Sequence, residues 1–275
     1  MEKCYIQLYS LKEEAAKDFD GMLKRLADMG YTGVEFAGGN YGGHSATDLR
    51  KLLNQLNLDA LSSHLMSDQV VTQLDYACEL GIKYIIDPMS AFSTYEEALA
   101  FAEKLNETGK LCAERGIIFG YHNHRHEFLP SKDGTLMETL IKNTDPDLVC
   151  FQLDVGWATC SGIDVPAFIN KYAGRIAMIH VKECAIVDGP EAATDWSKFP
   201  KDADGKPIIP PEVLKKFSEQ AAWNVAAGKG VIDWVKVRDA ALAQGAEAFI
   251  IEREYDYAGD IFKCVTEDCE FLKTL

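Results

Sequence analysis

The chain has 275 residues, 47% of them apolar, which is ample for a large core, and its formal charge is −15. An acidic surface repels phosphodiester backbones and anionic membranes, which argues against both as partners. The N-terminal stretch lacks the apolar centre of an export signal, no window approaches a membrane span, and the eight cysteines include no CxxC pair, so a cytoplasmic protein with reduced thiols is expected.

Eight short, nearly continuous apolar runs punctuate the sequence: Cys4–Tyr9, Gly33–Phe36, Asp59–Leu65, Lys83–Asp87, Ile117–His122, Val149–Val155, Ile176–Lys182 and Ala248–Arg253. Such runs suit strands buried on both faces. Helical patterns lie between them. One covers Lys12–Met29 and is closed by Gly30. The next is capped by Ser45 or Thr47, and the third by Ser67 or Asp68. Thr94–Arg115, Gly134–Asn143, Asp164–Tyr172, Asp233–Gln244 and Asp260–Leu272 follow. Strand–helix alternation repeated eight times predicts an α/β fold, a (β/α)8 barrel spanning residues 1–275 as one domain. A doubly wound open sheet is the competitor, but no glycine-rich phosphate loop follows the first strand. The spacing breaks once, at a Pro-, Gly- and Asp-rich insertion of residues 184–229. It leaves the C-terminal end of the seventh strand, over the mouth where barrels carry their chemistry, and is read as a lid or a partner contact.

Polar residues stand at the ends of these apolar runs, and burying them without partners is costly. They are Glu35, His64, His122, His124, Glu127 in "GYHNHRHEF", Asp154 in "FQLDVGW", His180 and Lys182 in "MIHVKE", and Glu252 and Glu254 in "IIEREY". A structural hydrogen bond explains any one of them. Four strands in a row ending in carboxylates and imidazoles are another matter, because such a set repels itself without a cation. Carboxylate with imidazole and no thiolate suits a divalent metal, Mn²⁺ first, with Mg²⁺, Co²⁺ or Zn²⁺ as alternatives.

The segments "YIQLYSLKEE", "GYTGVEFAG", "GIIFGYHNHRHEF", "FQLDVGWATCSGIDVPAFINKYAGRIAMIHVKE", "GKGVIDW" and "FIIEREYD" resemble, in order, the sugar phosphate isomerase/epimerase superfamily with its xylose isomerase-like TIM barrel. The resemblance implies metal ligands at Asp154, His180 and Glu252, with Glu127 filling the place of a first glutamate that many relatives carry inside the fifth strand. It implies an isomerase or epimerase in which the metal withdraws charge from a carbonyl and a base removes a neighbouring proton, stabilising an enediolate. Glu127, Glu252, His124 and Lys182 are the candidate acids and bases. Glu35 and His64 would bind hydroxyls, His122 would face the substrate, Trp157 would offer a stacking face, and His126 is left on the outside of the protein. Trp157 departs from the histidine that sugar epimerases and endonucleases of the superfamily often carry there. Two rival activities belong to the same resemblance, β-elimination by a dehydratase or a lyase of 3-oxo-glycosides and a nuclease; a rival from another class is a non-catalytic sugar-binding or assembly subunit. The acidic charge argues against the nuclease. The sequence has no Lys/Arg-rich anion cradle, so an unphosphorylated sugar, cyclitol or keto-sugar is the expected partner. Pairing with a like or unlike chain through the insertion or the last helix is a further expectation.

Overall fold

The computed structural model describes residues 1, 3–195, 198–202, 205, 207–256 and 259–275. Eight parallel strands close into a barrel in chain order: β1 Tyr5–Gln7, β2 Gly33–Ala37, β3 Asp59–His64, β4 Tyr84–Asp87, β5 Ile118–His122, β6 Val149–Asp154, β7 Ile176–Val181 and β8 Ala248–Ile251. β1 pairs with both β2 and β8, so the barrel itself is closed with no open edge. The register shifts between Val34 and Glu35 in β2, and between Phe151 and Gln152 in β6.

The barrel interior is layered. Its floor is apolar: Tyr5, Tyr84, Ile86, Met178, Ala248 and Ile250. Above it lies a polar layer of Gln7, Glu35, Ser62, His64, Gln152 and His180, all buried. Gly120 on β5 leaves needed room, since a Cβ there would stand 2.8 Å from both Cys150 Sγ and Ile86 Cδ1. The opposite faces of the strands carry the larger core against the helices, with Phe36, Phe119, Phe151 and Phe249 fully buried. Each such ring contributes about 1.5–3 kcal/mol by leaving water.

The helices are α1 Lys12–Lys17, α2 Phe19–Asp28, α3 Ala46–Leu56, α4 Ser67–Leu80, α5 Tyr95–Ala113, α6 Leu136–Asn143, α7 Val155–Cys160, α8 Val165–Lys171, α9 Pro211–Ala221, α10 Trp234–Ala243 and α11 Ile261–Thr274. The single helix expected over Lys12–Met29 is two. Asp18 is extended (φ −157°, ψ 90°) and caps α2 through Gly21 N, which breaks the run. Ser45 caps α3 as expected. Ser67 does not cap α4; its hydroxyl and amide both go to Asp87, and the residue before α4 is Met66. Two helices, α7 and α9, were not expected. α7 begins directly after β6, with Asp154 as its cap.

The insertion carries α9 and is tied down from three strand ends. Arg125, after β5, donates to Asp188 Oδ2 at 2.7 Å, Gly189 O at 3.0 Å and Glu191 Oε2 at 3.3 Å. Glu183, after β7, accepts from Gly228 N at 2.8 Å and Trp234 Nε1 at 2.7 Å. Arg253, after β8, pairs with Asp268 at 2.7 Å and donates to Val225 O at 3.0 Å. No helix among the described residues is long and apolar enough to cross a membrane.

Candidate metal centre and mouth cavity

One residue organises the polar layer. Glu35 is fully buried and accepts from five side chains: Gln7 Nε2 at 2.8 Å, Ser62 Oγ at 2.7 Å, Gln152 Nε2 at 2.7 Å, His180 Nε2 at 2.7 Å and His64 Nε2 at 3.0 Å. Burial works to raise its pKa, but the charges and hydrogen bonds of His64 and His180 prevail and hold it well below the ordinary carboxylate value.

This layer fixes which nitrogen each imidazole offers upward. His180 Nε2 donates to Glu35, so Nδ1, 3.5 Å from Glu252 Oε2, is the nitrogen that would face a cation once its own proton is displaced. Gln152 gives its amide to Glu35, so its Oε1 must accept; it does so from His64 Nε2 at 2.8 Å and His122 Nδ1 at 3.0 Å. His122 therefore turns Nε2 toward Asp154 Oδ2, 3.9 Å away. A carboxylate or amide behind an imidazole is the usual support of a metal-binding histidine.

Asp154 sits at the end of β6. Its Oδ1 caps α7 through Trp157 N at 2.7 Å, and Asn123 Oδ1 holds its backbone N at 2.9 Å. Its Oδ2 is buried and has no hydrogen-bond partner among the described residues, and the same holds for His180 Nδ1. Burial pushes the Asp154 carboxyl up to about 7, with Lys182 working against the rise. His180 goes the other way: burial favours the neutral ring, but Glu35 and Glu252 raise it to about 10. Glu252 is held well below the usual range, since Lys182 and His180 outweigh its burial. Lys182 Nζ lies 2.6 Å from Glu254 Oε1, 3.2 Å from Glu252 Oε2 and 4.5 Å from the centre of the Trp157 ring. Those carboxylates outweigh burial and raise its pKa. Gly156 makes the arrangement possible: a Cβ there would meet Lys182 O at 2.7 Å and Cγ at 2.9 Å.

Ligand-type atoms of His122, Asp154, His180 and Glu252 all lie within 4.8 Å of one another. Two of them are the orphaned Asp154 Oδ2 and His180 Nδ1 just described. Once a cation displaced the extra proton of His180, the carboxylates of Glu35, Asp154, Glu252 and Glu254 would face, among the described residues, the Lys182 ammonium as their fixed positive charge. The donor set and its charge fit a divalent cation.

The structure departs from the expected site at Glu127, Glu35 and His126. Glu127 is outside this group. Its carboxylate is buried, accepting from Tyr121 OH at 2.6 Å and His124 N at 2.9 Å, because the chain turns into a short 3-10 helix, His126–Phe128, after β5. His122, expected to face the substrate, lines the cavity and also supplies the fourth ligand-type atom. Glu35 lies beneath His180, where it positions imidazoles, and is not among the residues that line the cavity. His126 is buried, not outside, and holds Ser90 O at 2.7 Å and Glu127 at 3.2 Å.

Above the group opens a cavity of about 270 Å³, lined by His64, His122, His124, Glu252 and Glu254 among others. His124 is held neutral, its pKa pushed to about 3 by burial and then by Lys182. Glu254 was outside the chosen acids and bases; its period-two spacing from Glu252 was the signal that pointed to it. Trp157 and His124 line a second cavity of about 250 Å³ together with insertion residues such as Glu191 and Phe217.

Eight parallel strands with their chemistry gathered at the C-terminal mouth make this a (β/α)8 barrel of the enzyme type. The model of the xylose isomerase-like TIM barrel family matches residues 23–275, and the chain belongs to that family. Among curated proteins it is 24% identical over 273 residues to inosose dehydratase 2 of Bacillus cereus, covering 88% of this chain and 89% of that one. It is 27% identical over 192 residues to an inosose dehydratase of Clostridium beijerinckii, covering 60% of this chain and 63% of that enzyme's length. A crystal structure of a sugar phosphate isomerase/epimerase from Parabacteroides distasonis superposes with a TM-score of 0.75 at 23% identity, covering 100% of this chain and 99% of that one.

Proposed function

We propose that the chain is a divalent-metal-dependent lyase that removes water from an inosose or a related keto-sugar by β-elimination. The observation that carries this reading is the group His122, Asp154, His180 and Glu252, orphaned atoms included, at the floor of a cavity of sugar size. These four residues would hold the cation. A cation held there would supply the Lewis acidity that makes a C–H beside a substrate carbonyl acidic.

The remaining steps fall to Glu254, Lys182 and His124. Glu254, at the cavity wall, takes the α-proton on a carboxylate oxygen. The C–H electron pair becomes the new C=C bond, and the C–O bond at the β-carbon breaks. Lys182, kept protonated by its carboxylate neighbours, gives the departing hydroxide a proton and water leaves. Glu254 and Lys182 are hydrogen-bonded, so the proton gained by one returns to the other. His124 is neutral and serves the substrate as a hydrogen-bond partner rather than as the base. The insertion acts as a lid that limits water at the mouth.

Isomerisation or epimerisation is the second reading, and it shares the first proton transfer. It is favoured by His124 and Glu252 flanking the cavity from β5 and β8, strands separated by two others around the barrel. The sequestered Glu127 weighs against the two-glutamate form of that chemistry. A non-catalytic sugar-binding subunit needs no such ligand set.

The test is metal-loaded protein incubated with an inosose in D2O. Appearance of a conjugated enone with loss of water supports the lyase. Solvent deuterium in recovered substrate or its epimer without water loss supports the second reading. Neither outcome, with metal bound, sinks both.

A further inference from the structure

The cysteines take no part in the chemistry above, yet two of them stand beside it. Cys160 ends α7, the helix capped by Asp154, and Cys184 follows Lys182 by two residues. Both line a cavity of about 10 Å³, which lies between α7 and the end of β7 on one side and Gln220, Trp223 and Asn224 of the insertion on the other. That is room for about one water molecule. The backbone ties both cysteines to the foot of the insertion. Cys160 O accepts from Asp188 N and Gly189 N, both at 2.9 Å, and Cys184 O accepts from Val231 N at 2.9 Å, where the insertion rejoins the barrel.

The two thiols are in hydrogen-bonding contact, and each is the foremost influence on the other. Contact with Cys184, then the charge of Arg125 and the amide of Asp188, bring Cys160 down to about 7 against its burial. Contact with Cys160, and then burial, move Cys184 up. A thiolate with a thiol at its side is the arrangement in which one sulfur is oxidised and the other resolves it. Cys160 is 1% exposed and Cys184 5%, which shuts out a bulky oxidant. The cavity wall of half-buried insertion residues leaves a peroxide as the kind of molecule that reaches them. Cys4 and Cys269 also touch, but inside the helix-facing core.

We propose that Cys160 and Cys184 are a peroxide-sensitive thiol pair whose disulfide clamps the first segment of the insertion to α7. The Cys160 thiolate attacks one peroxide oxygen and the O–O bond breaks. Cys160 becomes a sulfenic acid, and the hydroxide released takes up the proton that Cys160 had lost. The Cys184 sulfur then displaces the sulfenic oxygen and gives it its own proton; the S–S bond forms and a second water leaves. One peroxide is reduced to two waters while two thiols are oxidised to one disulfide. The bridge joins the helix that Asp154 caps to the strand end that carries Lys182.

The experiment treats the full chain, loaded with Mg²⁺ so that the cation does not consume the oxidant, with hydrogen peroxide or with glutathione disulfide. Peptide mapping by mass spectrometry then locates the links, before and after dithiothreitol. Peroxide should join Cys160 to Cys184 reversibly, ahead of Cys4 and Cys269, and glutathione disulfide should not. Hydrogen exchange at the Asp188 and Gly189 amides should slow about tenfold or more in the oxidised chain. In Cys184→Ser the reaction should stop at a sulfenic acid on Cys160, trapped by dimedone, and Cys160→Ser should form no link; if one variant fails to fold, the other decides. A peroxide-treated chain without the Cys160–Cys184 link overturns the proposal, as does a link that forms equally with glutathione disulfide or leaves both amides exchanging as before.

Discussion

Gln152 should matter to metal binding although it is not in the ligand group. Its side chain makes three buried hydrogen bonds, donating to Glu35 and accepting from His64 and His122. In Gln152→Met, similar in length but apolar, His64 keeps its contact with Glu35 at 3.0 Å, while His122 Nδ1 loses its acceptor and Glu35 loses one donor. A buried unsatisfied donor costs about 1–3 kcal/mol, and a hydrogen bond to a charged group contributes about 1.5–3 kcal/mol. The variant should therefore lose about 2.5–6 kcal/mol, against a total of about 5–15 kcal/mol for an ordinary domain. Freed of its acceptor, the His122 ring no longer has to present Nε2, and loss of a supporting contact of this kind weakens metal binding about 10–100-fold. Gln152→Glu keeps both imidazole contacts but sets a carboxyl against Glu35; that pair must hold a proton, and the His122 tautomer should persist. The assays are competition for Mn²⁺ or Zn²⁺ against a chromophoric chelator, and ¹⁵N shifts of the His122 ring. If Gln152→Met folds, retains metal affinity within about twofold and still shows His122 protonated on Nδ1, the layer does not set the tautomer.

Four further outcomes are expected. Glu254→Gln should lower turnover at least about 100-fold with metal affinity nearly unchanged, measured by steady-state kinetics beside metal titration. Asp154→Asn and Asp154→Ala should both lose metal by elemental analysis; Asn can still cap α7 through Trp157 N, so only Ala should also lose about 1 kcal/mol in urea unfolding for the missing cap. Gly156→Ala should cost about 1–3 kcal/mol and depress turnover, because its Cβ forces Lys182 aside; unchanged values in both assays would remove Lys182 from the argument. Glu138 is partly buried, which raises its pKa, but Lys171 and Tyr172 prevail and lower it. A depressed folded-state pKa contributes stability above the ordinary carboxylate value and loses it as pH falls through the folded value. Glu138→Gln should thus narrow the difference in urea midpoint between pH 7 and pH 3 relative to the parent chain.

The eight strands were legible because a strand buried on both faces must be apolar throughout, and each such run in the sequence overlaps a barrel strand. Helices were legible where an apolar stripe and a cap coincided, as at Ser45 or Thr94. The break at Asp18 was hidden because the residues on both sides favour helix, and only its extended backbone and contact with Gly21 N end one helix and start the next. Ser67 was misread since a hydroxyl before a helical stretch has the composition of a cap, whereas the buried carboxylate of Asp87, twenty residues on, takes it.

The site shows more sharply what sequence order can carry. Asp154, His180 and Glu252 follow strands whose inward faces are set by a period of two, and they meet. Glu127 lies five residues past the last residue of β5, so no period governs it, and a carboxylate there had two destinations. One was the ligand group; the other was the hydroxyl of Tyr121, which the alternation of β5 turns away from the barrel interior and into the helix-facing core beside Phe92 and Phe101. A phenol buried among aromatic rings needs an acceptor. Glu127 meets that need, with His124 N and His126 closing around the same carboxylate. The vacated role passes to His122, which stands inside the strand and has Gln152 behind it to fix its ring. The signal was present in the sequence as the pair Tyr121 and Gln152, polar groups in apolar runs that point to opposite faces of neighbouring strands. Reading it required knowing that β5 and β6 lie side by side with His122 level with Gln152, which is information about register and not about composition.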